Sequence, residues 1–508
     1  MSAFRACIAS PHYLASDVGL DVLRSGGNAV DAAVAVNLTL GVVAPYLCGF
    51  GGDLFAMVWR DGLHAYAGAG AAPAAATLDA LRARTGDAML ARGPLTVTVP
   101  GAVDGWFALL ERFGTRSFGS LAERALGYAR DGFTPSERGD ASFAGARALY
   151  AGEEEWQRVY GTATAGKLLR QADLARTIAA LSEHGPDAFY RGAIADGIVG
   201  HLQERGALME PSDMASHRGE WVDPMSISYR DVEVFEMPPP TQGVAALEAM
   251  KIAEGLPPGE TAERHHVMIE SIKLALADLG ARVTDPRSMS ASAEELLARE
   301  HIDARRRAID PARAGDPQRW RARGGGTAYM CVADADGMLA SLIQSNFAGF
   351  GSGVTVPGWG INLQNRGAWF SLDPEHVNVI APGKRTMHTL IPAMAFRDGA
   401  PWLVFGTMGG DGQAQTHLQL IARMVDDGAD PKAAIDAPRW VVSPVDWSVH
   451  AEPRFDDAVI EGLRARGHTV TTGRAFDQAM GHAHAIMVTR DGYEAASDPR
   501  TEGAALGL

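Results

Sequence analysis

The stretch with the clearest chemical potential in this 508-residue chain is Arg323-Gly324-Gly325-Gly326-Thr327-Ala328-Tyr329-Met330. A glycine run meets a threonine that opens an apolar, strand-like segment. A threonine hydroxyl is a weak nucleophile unless a base stands beside it. At a chain's N-terminus the threonine supplies its own base, because the α-amine titrates at about 7.7–8.0. Creating that amine requires a break before Thr327. The hydroxyl can make the break by attacking the Gly326 carbonyl, giving an ester that water opens. A glycine before the threonine removes the side chain that would obstruct the attack. Read alone, the same residues also describe a loop entering a strand. A second candidate is Gly409-Gly410, between a strand-like and a helix-like stretch. Two N–H groups presented there suit a developing oxyanion, and they also suit an ordinary turn. No Lys-Ser or Lys-Thr follows, so a phosphate cradle is not indicated.

These groups need a framework. Ala29–Val43 has helical spacing with almost no polar face and reads as a buried helix. Leu54–Trp59 and Leu63–Ala67 read as strands joined around Asp61-Gly62, with Asp53 as a turn residue before them. Helical patterns dominate from Trp106 to about Glu220, Trp221–Glu236 is strand-like, and Val244–Glu254 and Ala262–Gly280 read as helices. Residues 285–326 are polar and glycine-rich towards their end, which suggests a surface connection. Beyond it, Ala328–Ala333, the turn Asp334–Gly337 and Leu339–Ser345 form a hairpin signal. Strands near Ile361, Ala393–Arg397 and Trp402–Phe405 follow, then a helix over Ala414–Val425. The mixture argues for a layered core shared by the parts on either side of Gly326.

Composition narrows the partners. The net charge is −15 and there is no basic stripe, so nucleic acid is not expected. Cys7, Cys48 and Cys331 are odd in number and far apart, which indicates neither a disulfide framework nor a zinc site. Met1–Ser16 lacks a basic and then apolar signal pattern, and the apolar stretch Ala32–Val43 is too short to span a bilayer. A cytoplasmic protein without a membrane partner is expected. His265 and His266 open a helix without recurring carboxylate–histidine spacing, so no metal is expected. Glu270, Lys273 and Asp278 read as helix-surface or interlobe pairs.

Separated motifs then converge. They include Gly26–Val34, Gly49-Phe50-Gly51-Gly52-Asp53, Val99–Val103, Pro238-Pro239-Pro240-Thr241-Gln242-Gly243 and His266 through Glu270, Lys273 and Asp278 to Asp285-Pro286. After Thr327 come Asp334–Gly337, Gly349–Gly353, Ala381–Arg385, Gly406-Thr407-Met408-Gly409-Gly410 and Asp436–Arg439. In this order, over nearly the whole chain, they resemble the γ-glutamyltransferase family of N-terminal-nucleophile hydrolases. The resemblance implies an α+β fold, specifically a four-layer αββα sandwich. It also implies a precursor that cuts itself into a large subunit, 1–326, and a small catalytic subunit, 327–508, which stay together around one core. Thr327 falls on the family's nucleophile, with cleavage between Gly326 and Thr327. Ser345 falls on a hydroxyl residue that hydrogen-bonds the nucleophile, and Gly409 and Gly410 on the oxyanion pair. No cofactor or metal is implied; the partners are a small-molecule amide, and water or an amine acceptor.

The substrate positions depart from the family pattern. The carboxylate-binding arginine falls on Ala69, and the serine pair on His388 and Thr389. The three residues that hold the substrate amine fall on Phe347, Arg366 and Trp369. Asn346 is adjacent, but a one-residue shift on a strand reverses its face. A site that loses these charged groups loses its discrimination for a zwitterion. The expectation is an amidohydrolase or acyltransferase for a dicarboxylic or glutaryl-like acyl amide, with Arg366 and His388 holding the distal acid. The alternatives are γ-glutamyl chemistry on glutathione and an uncleaved, inactive binding protein.

Overall fold

The computed structural model describes residues 3–319 and 326–508. Two sheets lie face to face, each covered on its outer side by helices. The first has seven strands in the order Ala504–Gly507, Cys7–Ser10, Gly326–Ala333, Leu339–Phe347, Asp53–Trp59, Leu63–Gly68, Glu220–Val222. The second has six, in the order Gly492–Ser497, His482–Thr489, Ala400–Met408, Ala393–Arg397, Val232–Glu236, Met225–Tyr229. Both draw strands from before and after Gly326, so the two parts of the chain are interleaved. The architecture is a four-layer αββα sandwich.

Three cores hold the layers together, and strand alternation assigns residues to them. Tyr329 and Cys331 face the space between the sheets, packed with Phe55, Ile343 and Val404. Their neighbours Ala328, Met330 and Val332 face the helices on the other side. Those helices include Ala29–Val43, all of whose residues are buried. Its start is fixed by a capping box in which Asp31 accepts from Asn28 N–H (3.0 Å) and Asn28 Oδ1 accepts from Asp31 N–H (2.9 Å). The second sheet packs against Gly243–Ala253, Ala262–Arg282 and Gly412–Ile421.

Two expectations need correction. Residues 285–326 are not simply a surface connection: Ala293–Leu297 and Arg299–Ala308 are helices. They bury Leu296 and Ile302, and Arg305 Nε donates to Asp278 (2.7 Å). Asp53 is not a turn residue but the buried first residue of a strand, paired with Ser345. The remaining segments differ mainly at their ends. Trp221–Glu236 resolves into the three strands Glu220–Val222, Met225–Tyr229 and Val232–Glu236.

The two sheets approach closely where Gly406 meets the ring of Tyr329. A Cβ on Gly406 would lie 2.4 Å from that ring. Gly406→Ala is therefore expected to destabilise the protein by about 1–3 kcal/mol through overpacking, read as a lowered melting temperature.

Candidate active site

Thr327 is buried near the start of the strand Gly326–Ala333. The pairing with Leu339–Phe347 slips at this point: Gly326 stands opposite Phe347 and Ala328 opposite Gln344, so Thr327 faces both Ser345 and Asn346. Such a bulge re-aims side chains at the end of a ladder. Here it brings three groups to one point. Thr327 Oγ1 donates to Ser345 Oγ (3.3 Å), Ser345 Oγ donates to the Gly326 carbonyl (2.5 Å), and Phe347 N–H donates to Ser345 Oγ (2.7 Å). The Ser345 hydroxyl thus lies between a threonine hydroxyl and the carbonyl immediately before it. It orients the first and polarises the second.

Gly409 and Gly410 follow the strand Ala400–Met408, with φ of 145° and 57°. Side chains would be strained there. The Gly409 carbonyl accepts from Gly412 N–H (2.9 Å), and that of Gly410 from Gln413 N–H (3.2 Å) and Gln242 Nε2 (2.8 Å). In a trans peptide N–H points opposite to C=O. The Gly410 N–H is accordingly turned away from the helix that begins at Gly412. Tyr46, Gly349 and Met408 line a cleft of about 260 Å³. A Cβ on Gly326 would lie 2.6 Å from the Tyr46 carbonyl and 3.2 Å from Gly349 N. Residues next to the glycine pair (Met408) and next to Gly326 (Tyr46 and Gly349) thus line the same cleft.

The remaining predicted positions form a second cluster behind Ser345. Phe347 has a left-handed backbone, φ 73°, which is costly outside glycine. The Arg366 guanidinium stacks 4.2 Å from the Phe347 ring centroid, and the Trp369 ring centroid is 5.9 Å from it. Arg366 Nη1 donates to Thr389 Oγ1 (3.2 Å), and among the described residues its Nε has no partner. Burial pulls Arg366 down to about 10, against the attraction of Asp53 and Asp411, so it remains a cation at neutral pH. Phe347, Arg366, Trp369 and Thr389 are thus brought together.

His388 sits beside them, but both of its ring nitrogens are engaged. Nδ1 accepts from Leu390 N–H (3.3 Å), so Nε2 carries the proton and donates to Asp53 Oδ2 (3.1 Å). Burial, then Arg366, holds this imidazole well below its usual pKa. Such a histidine has no free donor for a substrate acid. Its geometry makes it the partner of Asp53, whose other oxygen accepts from Gly70 N–H (3.4 Å) and Gly101 N–H (3.3 Å). Asn346 points the other way, against Gly49 and Gly52 on the helix side. Ala69 is buried and brings no charge.

Sequence reasoning missed Asp53 and Gln242. Gln242 Nε2 donates to the carbonyls of both Thr389 (2.7 Å) and Gly410 (2.8 Å), tying the arginine cluster to the glycine pair. Both residues stood in quoted motifs, yet nothing local announces partners more than a hundred residues away.

A profile described as Gamma-glutamyltranspeptidase matches residues 15–508. The chain belongs to the gamma-glutamyltranspeptidase family. It is 39% identical over 519 residues to the Glutathione hydrolase-like YwrD proenzyme of Bacillus subtilis, covering 99% of this chain and 98% of that protein. It is 36% identical to the Oxamate amidohydrolase proenzyme of Klebsiella pneumoniae, covering 98% and 97%. Among solved structures, cephalosporin acylase from Bacillus halodurans superposes with a TM-score of 0.96 at 36% identity, covering 100% of this chain and 96% of that one. The protein is therefore an enzyme of a family of hydrolases and acyltransferases made as proenzymes. No helix among the described residues is long and apolar enough to cross a membrane.

Burial raises Asp53 from 3.8 to about 7, with Arg366 opposing the shift. The folded state thus binds this proton more tightly than the unfolded chain. The resulting stabilisation is present below about pH 4 and lost as pH rises through about 7. Asp53→Asn, which still accepts from His388, cannot titrate. Between pH 4 and 7.5 the wild-type protein is expected to lose melting temperature relative to this variant.

Proposed function

We propose that the enzyme cuts its own Gly326–Thr327 bond and then hydrolyses or transfers the acyl group of a small amide through Thr327. The observation that carries this reading is the Ser345 hydroxyl, in contact with both the Thr327 hydroxyl and the Gly326 carbonyl. For self-cleavage, Thr327 Oγ1 attacks the polarised carbonyl and its proton passes to the Thr327 nitrogen; the C–N bond breaks as the ester forms, which frees the α-amine, and water then hydrolyses the ester to the Gly326 carboxylate and the Thr327 hydroxyl. The products are a large subunit, 1–326, and a small one, 327–508, which remain together because their strands share both sheets. In turnover the α-amine takes the proton from Oγ1 as it attacks the substrate amide. The N–H groups at Gly409 and Gly410 steady the oxyanion, a contribution of about 2.7–4 kcal/mol per donor. The protonated amine passes its proton to the leaving amine, and water or an acceptor amine then takes the acyl group.

For the acyl group we favour one that carries its own acid, dicarboxylic or glutaryl-like, over a strict γ-glutamyl group. Arg366 is a buried cation stacked on Phe347, whose N–H bonds to Ser345, and Trp369 stands at the position expected for a residue that grips a substrate amine. The relatives named for oxamate and cephalosporin substrates are consistent with such acyl groups. His388 supports the pocket through Asp53 rather than touching substrate. A second reading, γ-glutamyl chemistry on glutathione, is favoured by the glutathione hydrolase-like relative. Release of glutamate from glutathione, faster than release from acyl amides without an α-amine, would select it.

Purified protein is expected to run as two chains, with N-terminal sequencing of the smaller starting at Thr327. Thr327→Ala is expected to stay as one chain without activity, which would also exclude the uncleaved binding-protein reading for the wild type. If wild-type protein is active as one full-length chain, the mechanism is wrong. Arg366→Gln is expected to raise KM for an acid-bearing acyl amide by about 10–100-fold, from the loss of a charge-assisted contact of about 1.5–3 kcal/mol. The KM for a neutral acyl amide should change much less.

A further inference from the structure

The cleft of about 260 Å³ is lined by Tyr46 and Gly349, which stand against Gly326, and by none of the residues proposed to hold the acyl group. The chain passes from one site to the other within two residues. Phe347 carries the Arg366 guanidinium on its ring, while Ala348 and Gly349 line the cleft. One wall is a face of the helix Glu137–Leu149, with Arg138, Ser142, Gly145 and Leu149 at helical spacing. Met408, the residue before the glycine pair, and His482, its partner in the neighbouring strand, also line it. The two halves of one amide held at Thr327 need two such adjoining sites.

The lining combines apolar surface with cations. Tyr46, Leu149, Tyr150, Phe350 and Met408 supply the apolar part. Arg92 Nε donates to the Tyr150 hydroxyl (3.3 Å), and Arg138 Nη2 to the Pro499 carbonyl (3.2 Å). These are neutral acceptors, so both guanidiniums keep donors and charge for a further partner. Glu502 is the acid in the lining; it accepts from the Tyr46 hydroxyl (3.1 Å) and stands 3.6 Å from His12 Nε2. His482 is only 6% exposed, and among the described residues neither of its ring nitrogens has a partner. Burial, opposed by Asp498, pulls it down to about 4, so the ring is neutral and offers one donor and one acceptor. A buried polar group of this kind calls for a partner.

We infer that this cleft receives the amine half of the substrate, and that its preferred leaving group carries a carboxylate on a single ring or short apolar body. The apolar wall holds the body, and Arg92 and Arg138 receive the carboxylate through charge-assisted hydrogen bonds. As the acyl–Oγ1 bond forms, the substrate C–N bond breaks, and the amine leaves with the proton passed on by the Thr327 α-amine. The inference rests on the Thr327 reading above and adds a substrate class to it.

The test uses cleaved enzyme and three glutaryl amides, those of ammonia, aniline and 4-aminobenzoate. A para carboxylate changes the basicity of the aniline nitrogen little, so the two anilides differ in recognition more than in reactivity. The kcat/KM for the 4-aminobenzoate amide is expected to exceed that for the anilide by about tenfold or more. This ratio does not depend on the fraction of active protein. It is expected to fall towards one in Arg92→Gln/Arg138→Gln and to stay at the wild-type value in Arg84→Gln, an exposed arginine outside the cleft. A wild-type ratio near one overturns the inference, as does a ratio that the double variant keeps or that Arg84→Gln lowers equally. Should the double variant fail to fold, Gly145→Leu decides, since a Cβ there meets nothing within 4 Å and leucine favours a helix over glycine. It is expected to lower kcat/KM for both anilides, relative to the amide of ammonia, by about tenfold or more; an equal effect on all three overturns the inference. If γ-glutamyl amides prove the better substrates, the same three amines are compared on that acyl group. A wild-type chain that never breaks would instead overturn the cleavage reading, and this inference with it.

Discussion

Everything in this active centre depends on where one hydroxyl is held. Ser345 Oγ accepts from Phe347 N–H and Thr327 Oγ1 and donates to the Gly326 carbonyl. It can do so because the ladder between the two central strands slips by one residue at Thr327. In a regular ladder Thr327 would stand opposite a single residue. The bulge brings the Thr327 and Ser345 hydroxyls and the Gly326 carbonyl together at the end of a strand. The surrounding sandwich, with Tyr329 seated against Gly406, fixes the two strands that make it.

The same constraint organises the pocket. Phe347 pays for its hydrogen bond to Ser345 with a left-handed backbone, and its ring carries the Arg366 guanidinium. Arg366 bonds to Thr389, and Gln242 links Thr389 to Gly410. The hydroxyl cluster, the buried cation and the glycine pair are thus one connected network. Asp53 and His388 brace it from beneath, as a neutral imidazole donating to a carboxyl that burial pushes towards neutrality.

Much of this was legible in the sequence where local chemistry speaks. The apolar run Ala29–Val43, the hairpin after Thr327 and the positive-φ glycines at 409 and 410 carry their structure in their own residue types. So did the face of Asn346, which follows from alternation alone. Less was legible where a polar residue is explained by a distant partner. Asp53 looks like a turn residue until Gly70, Gly101 and His388 close around it. His388 looks free to bind an acid until Asp53 and Leu390 N–H claim its nitrogens. The segment before Gly326 looks like a polar surface connection, but among its described residues Ala293–Leu297 and Arg299–Ala308 are helices, and Arg305 finds its partner in Asp278.

The central claim is that Thr327 becomes a free N-terminus and carries the acyl group. Its most direct test is intact-mass measurement of the smaller chain after rapid acid quench during turnover of an amide substrate. The account predicts that this chain gains the mass of the acyl group less one hydrogen, with fragmentation placing it on the N-terminal Thr327. Acyl mass found on another residue of either chain would contradict it.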